Sequence, residues 1–130
     1  MSKDMVVLVR QAPDEEAVAG ALVAAGEELL VTGFGDGGVL RLSEPDGGRV
    51  LVSVDAPMLV ETPGELERLL GPEVAHLEPP VWWIEVRASE EPDGAEVPAL
   101  RFAAELSLRL DGEVWADDPA YKKRAGLKSR

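Results

Sequence analysis

The chain has no cysteine and only one histidine. The lack of cysteine among its 130 residues excludes disulfide bonds and thiolate metal ligands. No second histidine accompanies His76, so a transition-metal site would depend on scattered carboxylates. We therefore expect no metal and no cofactor. The missing cysteines also favour a reducing compartment, and hence a cytoplasmic location.

Long apolar segments are absent as well. The first apolar run, at 5–9, is interrupted by Arg10, which leaves it far short of the roughly 20 residues that a membrane-spanning helix needs. It is also too short for a secretion signal. We expect no membrane association. A chain of this length with 45% hydrophobic residues predicts a single globular domain, which we assign to residues 1–121.

Positive charge is scarce except at the C-terminus. The last nine positions contain five basic residues and no acidic ones: Lys122, Lys123, Arg124, Lys128 and Arg130. We expect this basic tail, 122–130, to be disordered. Residues 1–121 carry eight basic and 25 acidic side chains, a formal charge of −17. A field of this sign repels nucleic acid and anionic membranes, and it attracts a protein partner with a basic surface.

Strand and helix patterns alternate along the chain. Apolar alternation predicts strands at 5–10, 28–32, 39–43, 49–55 and 81–88. Helix patterns begin near Pro13, Thr62 and Pro98. The order β-α-β-β-β-α-β-α, with a possible short edge strand at 113–116, predicts an α+β fold. It is typical of a mainly antiparallel sheet of five to six strands with three helices on one face.

Two local motifs accompany these elements. Segment 33–38 reads Gly-Phe-Gly-Asp-Gly-Gly and matches the pattern GxGxxG, but a strand pattern follows it. A dinucleotide site needs a helix there to direct amides at the pyrophosphate. We interpret the segment as a hairpin turn that binds no nucleotide. At 62–65, Thr-Pro-Gly-Glu predicts a capping box in which Thr62 caps the helix and Glu65 reaches back to it.

The sequence contains no recognisable catalytic arrangement. Serine is present without a GxSxG nucleophile elbow. Adjacent carboxylates, such as Glu90 and Glu91, lie beside predicted turns or helix ends, where solvated charge is the commoner reason for them. We therefore expect that the protein is not an enzyme.

Two adjacent tryptophans occupy the predicted strand 81–88. Because side chains alternate along a strand, Trp82 and Trp83 must point to opposite faces. We expect Trp82 in the core. Trp83 shares its face with Glu85 and Arg87, and an aromatic ring flanked by both charge signs suits a protein-binding surface if that face is open. A covering helix or tail is the alternative.

Further candidate interface residues follow this strand. Trp115 lies beside the acidic pair 117–118, where it could either pack the helix end or contact a partner. The acidic loop contributes Glu90, Glu91, Asp93 and Glu96, which could speed the capture of a basic protein.

Three segments resemble a known family. They read VDAPMLVETPGELERLLG at 54–71, VWWIEVRA at 81–88 and FAAEL at 102–106. Together they resemble an uncharacterised actinobacterial domain family associated with type VII secretion gene neighbourhoods. The resemblance covers about residues 50–115 and is strongest at the double tryptophan. It implies an accessory protein of a secretion system, and it brings no catalytic residues.

The sequence thus favours a non-enzymatic, acidic protein-interaction domain. One alternative is an antitoxin or immunity-type inhibitor that neutralises a basic nuclease through electrostatic steering. Another is a small-ligand sensor with a pocket between the sheet and the helices, which a sizeable apolar pocket would favour. The identity of the partner and homo-oligomerisation stay open.

Overall fold

A computed structural model describes residues 3–33, 40–89 and 94–116. Within these ranges, strands and helices alternate in the order β1 (Lys3–Val9), α1 (Glu15–Ala25), β2 (Leu30–Gly33), β3 (Leu40–Ser43), β4 (Val50–Val54), β5 (Met58–Val60), α2 (Glu65–Leu70), a 3-10 turn (Pro72–Val74), β6 (Val81–Ala88), α3 (Glu96–Arg109) and β7 (Gly112–Ala116). The fold is therefore α+β, as the sequence predicts.

All neighbouring strands run antiparallel in one sheet. Their order is β2-β3-β4-β6-β1-β7, and β5 pairs separately with β6. The described part of the chain therefore has seven strands, where the sequence predicts five to six. The predicted edge strand at 113–116 is confirmed as β7. At the other edge, β2 pairs with β3, and all four of its residues are exposed.

The strand that the sequence does not predict is β5. It pairs with residues 81–83 of β6, while β4 pairs with residues 86–88 along the same edge of β6. Residues 55–57 form the break between these two neighbours, where the Asp55 amide donates to the Glu85 carbonyl at 2.9 Å. A strand of three residues directly after Pro57 is too short to show an alternating apolar pattern. It is stabilised by pairing with β6, which is distant in sequence.

The sheet buries both of its faces. On the first face, β1 contributes Met5, Val7 and Val9 to a large apolar core beneath α1 and α3. On the second face, Val6 and Leu8 join a smaller core with residues from α2 and the 3-10 turn. The expectation that the helices share one face is therefore wrong for α2. Side-chain alternation within a strand shows that it has two faces, but not which later element covers each one.

Helix α1 begins close to Pro13, as the sequence predicts, and residues at both of its ends cap it. The Asp14 carboxylate accepts a hydrogen bond from the Ala17 amide at 2.8 Å and caps the helix. Gly26 ends it with φ 152°, a backbone conformation that side chains disfavour. Its buried residues are all small, and they let α1 pack closely on α3: Ala17, Ala21 and Ala25.

The predicted capping box at Thr62 is wrong. Helix α2 begins at Glu65, and its N-cap is Gly64, with φ 84° and no side-chain cap. Thr62 instead accepts the Glu65 amide through its backbone carbonyl at 3.2 Å. Glu65 pairs with Arg68 one turn later. The positive φ of Gly64 forms a tight turn that shifts the helix start away from Thr62.

Helix α3 begins at Glu96, two residues before Pro98, and packs over the first face of the sheet. Its outer side has an ion pair between Arg109 Nε and Glu105 Oε2 at 2.8 Å. Among the described residues, no helix combines the length and the apolar character needed to cross a bilayer.

Candidate functional site

An apolar pocket lies between α1, α3 and the first face of the sheet. Its volume is about 430 Å³, within the range of about 300–1,000 Å³ that small-molecule sites occupy. Side chains from five elements form its interior: Val18, Leu22, Leu40, Val54, Ile84, Phe102 and Leu106. The pocket is therefore held by helices and strands, which position a ligand more firmly than loops do.

The packing of α1 explains why this space stays open. The helix packs on α3 through its alanine stripe. Val18 and Leu22 each lie one position beyond an alanine of that stripe, and both are half-buried against the core. They form one wall of the pocket, opposite Val54 and Ile84 of the sheet. Small residues at the helix contact thus bring α1 toward α3 without filling the space above β3 and β4.

The mouth of the pocket is lined by the start of α1 and by the break between β4 and β5. Residues 13–15 form one side, and residues 55–57 form the other. Asp14 and Glu15 are exposed there. The Asp55 carboxylate instead lies 3.7 Å from the guanidinium of Arg87, which is on the second face of the sheet. No lysine or arginine is found among the described lining residues.

The lining of the pocket suits the binding of an apolar molecule. Its interior is hydrocarbon, and polar groups are confined to the mouth. In the ranges that the structure describes, no three His, Asp or Glu side chains are grouped closely enough to hold a metal ion. An arrangement of this kind can remove a small apolar molecule from water, and it can select that molecule by shape and by charge at the entrance.

Trp83, the leading interface candidate from the sequence, is buried. Only 8% of its surface is exposed, because α2 and the 3-10 turn cover the second face. It packs in the smaller core with Leu8, Leu66 and Val81. Trp82 is half-buried against the core on the first face. The premise of an open Trp83 face is therefore wrong, and the ring acts as core.

Two charged neighbours of Trp83 stay at the surface of the second face. Arg87 donates to Glu85 at 2.8 Å and lies 3.7 Å from Asp55. The Trp83 indole N–H points toward Glu85 Oε1 at 3.4 Å. Glu85 thus links the buried ring to a surface ion pair, and contact with a partner at this pair stays a prediction.

Trp115 lies on β7, on the second face. It is half-buried beside the smaller core, and its indole Nε1 is buried without a hydrogen-bond partner in the described part of the chain. Two positions earlier on the same strand, Glu113 Oε2 lies 2.5 Å from His76 Nε2. Packing explains the burial of Trp115, and its proposed contact with a partner stays a prediction.

Some of the remaining candidates from the sequence lie outside the described residues, and others lie within them. Glu90, Glu91 and Asp93 lie outside them, as does most of the 33–38 motif. Glu96 is the half-buried first residue of α3. Gly33 and Leu40 are register partners in antiparallel β2 and β3, so a strand does follow the glycine motif, as predicted. The absence of nucleotide binding stays a prediction.

The residues that line the pocket cannot be recognised from the sequence. Val18 and Leu22 have the spacing of core residues, and nothing local distinguishes a side chain that fills a core from one that lines a cavity. The available signal is the stripe of Ala17, Ala21 and Ala25, which indicates close contact between α1 and another element. The alanine stripe does not show which element α1 contacts, and the pocket exists only because that element is α3.

Comparison of the chain with models of protein families, with curated proteins and with solved structures finds no match in any of the three.

Proposed function

We propose that this protein binds a small apolar ligand in the pocket between α1, α3 and the sheet. The observation that carries the proposal is a volume of about 430 Å³ bounded almost entirely by hydrocarbon. A small-ligand sensor is one of the functions that the sequence leaves open, and a sizeable apolar pocket favours it. Trp83, the leading residue for the protein-binding function that the sequence favours, is instead buried.

Folding leaves apolar surface of the pocket lining uncovered. Val18, Leu22 and Leu40 line the pocket and are only half-buried, so an occupant can cover their exposed apolar surface without moving the backbone. Each Å² of apolar surface that an occupant removes from water contributes about 25 cal/mol. The pocket is present before the ligand arrives, and this lowers the entropic cost of binding.

The test fills the pocket from its rim. Ala19 is exposed and lines the pocket from α1, so Ala19→Trp places a large ring at the entrance without replacing a core side chain. The matched control is Val23→Trp, on the same helix but outside the pocket and 57% exposed. The readout is the fluorescence of N-phenyl-1-naphthylamine, a neutral apolar probe that brightens when it leaves water.

We expect micromolar binding of the probe to the wild-type protein and to Val23→Trp. For Ala19→Trp we expect at least tenfold weaker binding, the equivalent of about 1.4 kcal/mol. Circular dichroism melts of both variants check that they fold. Equal binding by both variants, or no binding by the wild type, would contradict the proposal.

A second candidate function follows from charge. Residues 1–121 carry a formal charge of −17, which favours a non-enzymatic protein-interaction domain with a basic partner. Such a domain could be an accessory protein of a secretion system or an inhibitor of a basic nuclease. A cytoplasmic location fits both. The same variant pair separates the two candidate functions, because capture through surface charge does not require an open pocket and survives Ala19→Trp.

A further inference from the structure

We infer that the pocket selects an apolar ligand whose head group is a positively charged amine, and that it discriminates against carboxylate head groups. This inference rests on the proposed function and deepens it. It follows from the charges that the fold leaves at the mouth, and from the carboxylate that caps the start of α1.

The start of α1 carries a negative charge at the place where a helix usually binds an anion. A helix N-terminus attracts anions because its first amides have no partner within the helix. Here the Asp14 carboxylate accepts a hydrogen bond from one of these amides, that of Ala17, at 2.8 Å. Asp14 thus brings its own negative charge to the place where a carboxylate ligand would bind.

The charge of the mouth is unbalanced. Glu15 is exposed beside Asp14, and neither carboxylate forms a salt bridge within the described residues. Asp55 lies on the other side of the mouth, but its carboxylate is near Arg87. Arg109 lies close to Asp14 outside the pocket but is paired with Glu105, so the two carboxylates at the start of α1 leave this side of the mouth negative. An anion entering the pocket would be repelled, whereas a cation would be attracted.

The interior fixes where the charged group must stay. An ammonium group surrounded by Ile84, Phe102 and Leu106 would lose its hydration without gaining a partner, which is costly. The favourable arrangement places the hydrocarbon inside and the amine at the water-exposed entrance beside Glu15. The preferred ligand is thus an amphiphilic amine, with its charge at one end of an apolar body.

Three competing ligands with the same chain length test this inference: octylamine, octanol and octanoate, which differ mainly in head-group charge. Each is titrated at neutral pH against the protein loaded with the fluorescent probe N-phenyl-1-naphthylamine. Surface ion pairs contribute up to about 1 kcal/mol, so we expect octylamine to displace the probe at about fivefold lower concentration than octanol. Octanoate should be the weakest of the three.

A double variant identifies the carboxylates responsible. Asp14→Asn with Glu15→Gln removes both charges, while asparagine retains the helix cap. We expect octylamine to lose its advantage over octanol in this variant, and octanol itself to bind as before. Glu16→Gln, in the same turn but outside the pocket lining, is the control and should retain the wild-type order.

Each outcome is informative. If all three ligands displace the probe equally, or if octanoate is the strongest, the inference fails while the proposed function stands. If octylamine keeps its advantage in the double variant, the charge acts from elsewhere and the inference is wrong. If neither the probe nor octanol binds the wild-type protein, the proposed function fails together with the inference.

Discussion

The two faces of the sheet are closed by different means. On the first face, two helices of 11 and 14 residues meet through small side chains. On the second face, the cover is a helix of six residues and a 3-10 turn of three. There a large ring, Trp83, occupies much of the space that a longer helix would fill. The difference teaches that long covering elements can leave a cavity, whereas short ones need bulky residues to exclude water.

The largest expected effect tests this role of Trp83. Trp83→Ala should lower the free energy of unfolding by about 3–5 kcal/mol, because it opens a cavity that α2 cannot collapse to fill. Trp82→Ala should cost less, since Trp82 is only half-buried. Urea denaturation of both variants measures the difference. A greater loss for Trp82→Ala would show that the second face does not depend on its tryptophan.

A smaller effect concerns the start of α1, on the first face. Asp14→Ala removes the side-chain cap on the Ala17 amide and should cost about 1 kcal/mol. Asp14→Asn keeps a capping oxygen and should remain close to the wild type. Thermal melts of the two variants provide the comparison. Equal losses would indicate that charge rather than capping holds this end of the helix.

The smallest effect concerns α2 on the second face. A hydrogen bond from Arg68 holds the pKa of Glu65 below its usual value of 4.5. The contribution of this carboxylate to stability is therefore fully present above pH 4.5 and is lost as the pH falls through the lower value in the folded protein. Glu65→Gln should be slightly less stable at neutral pH, with a difference in Tm that shrinks in acid.

Arg68→Gln provides the control for this pair, since it removes the donor and leaves the carboxylate. It should show the same shrinking difference in Tm. A difference that is constant from pH 7 to pH 3 would mean that the Glu65–Arg68 pair does not contribute to stability.

The parts of the fold that the sequence predicts are those with a strong local pattern. The strand at 81–88 is confirmed in both its bounds and its alternation, and the start of α1 close to Pro13 is confirmed as well. The missed elements depend on distant partners. β5 is held by β6, and the start of α2 is set by the turn at Gly64 rather than by Thr62.

The candidate site is less predictable than the fold, for the same reason. Strand alternation correctly separates Trp82 from Trp83, but it cannot tell which face receives the shorter cover. The pocket is harder still to predict, because it depends on how two helices pack against each other. It exists because Val18 and Leu22 are held above Val54 and Ile84 by a contact made elsewhere, between α1 and α3.

The exposed strand β2 has a consequence for how copies of this protein behave in solution. Its hydrogen-bonded neighbour among the described residues is β3, while Leu30 and Val31 are 45% and 44% exposed. A ribbon edge of this kind is a template on which another chain can add a strand, and thus a starting point for aggregation. A net charge of −12 makes copies repel one another before their edges meet. The acidity of the chain therefore opposes aggregation through the β2 edge, whichever ligand or partner the protein binds.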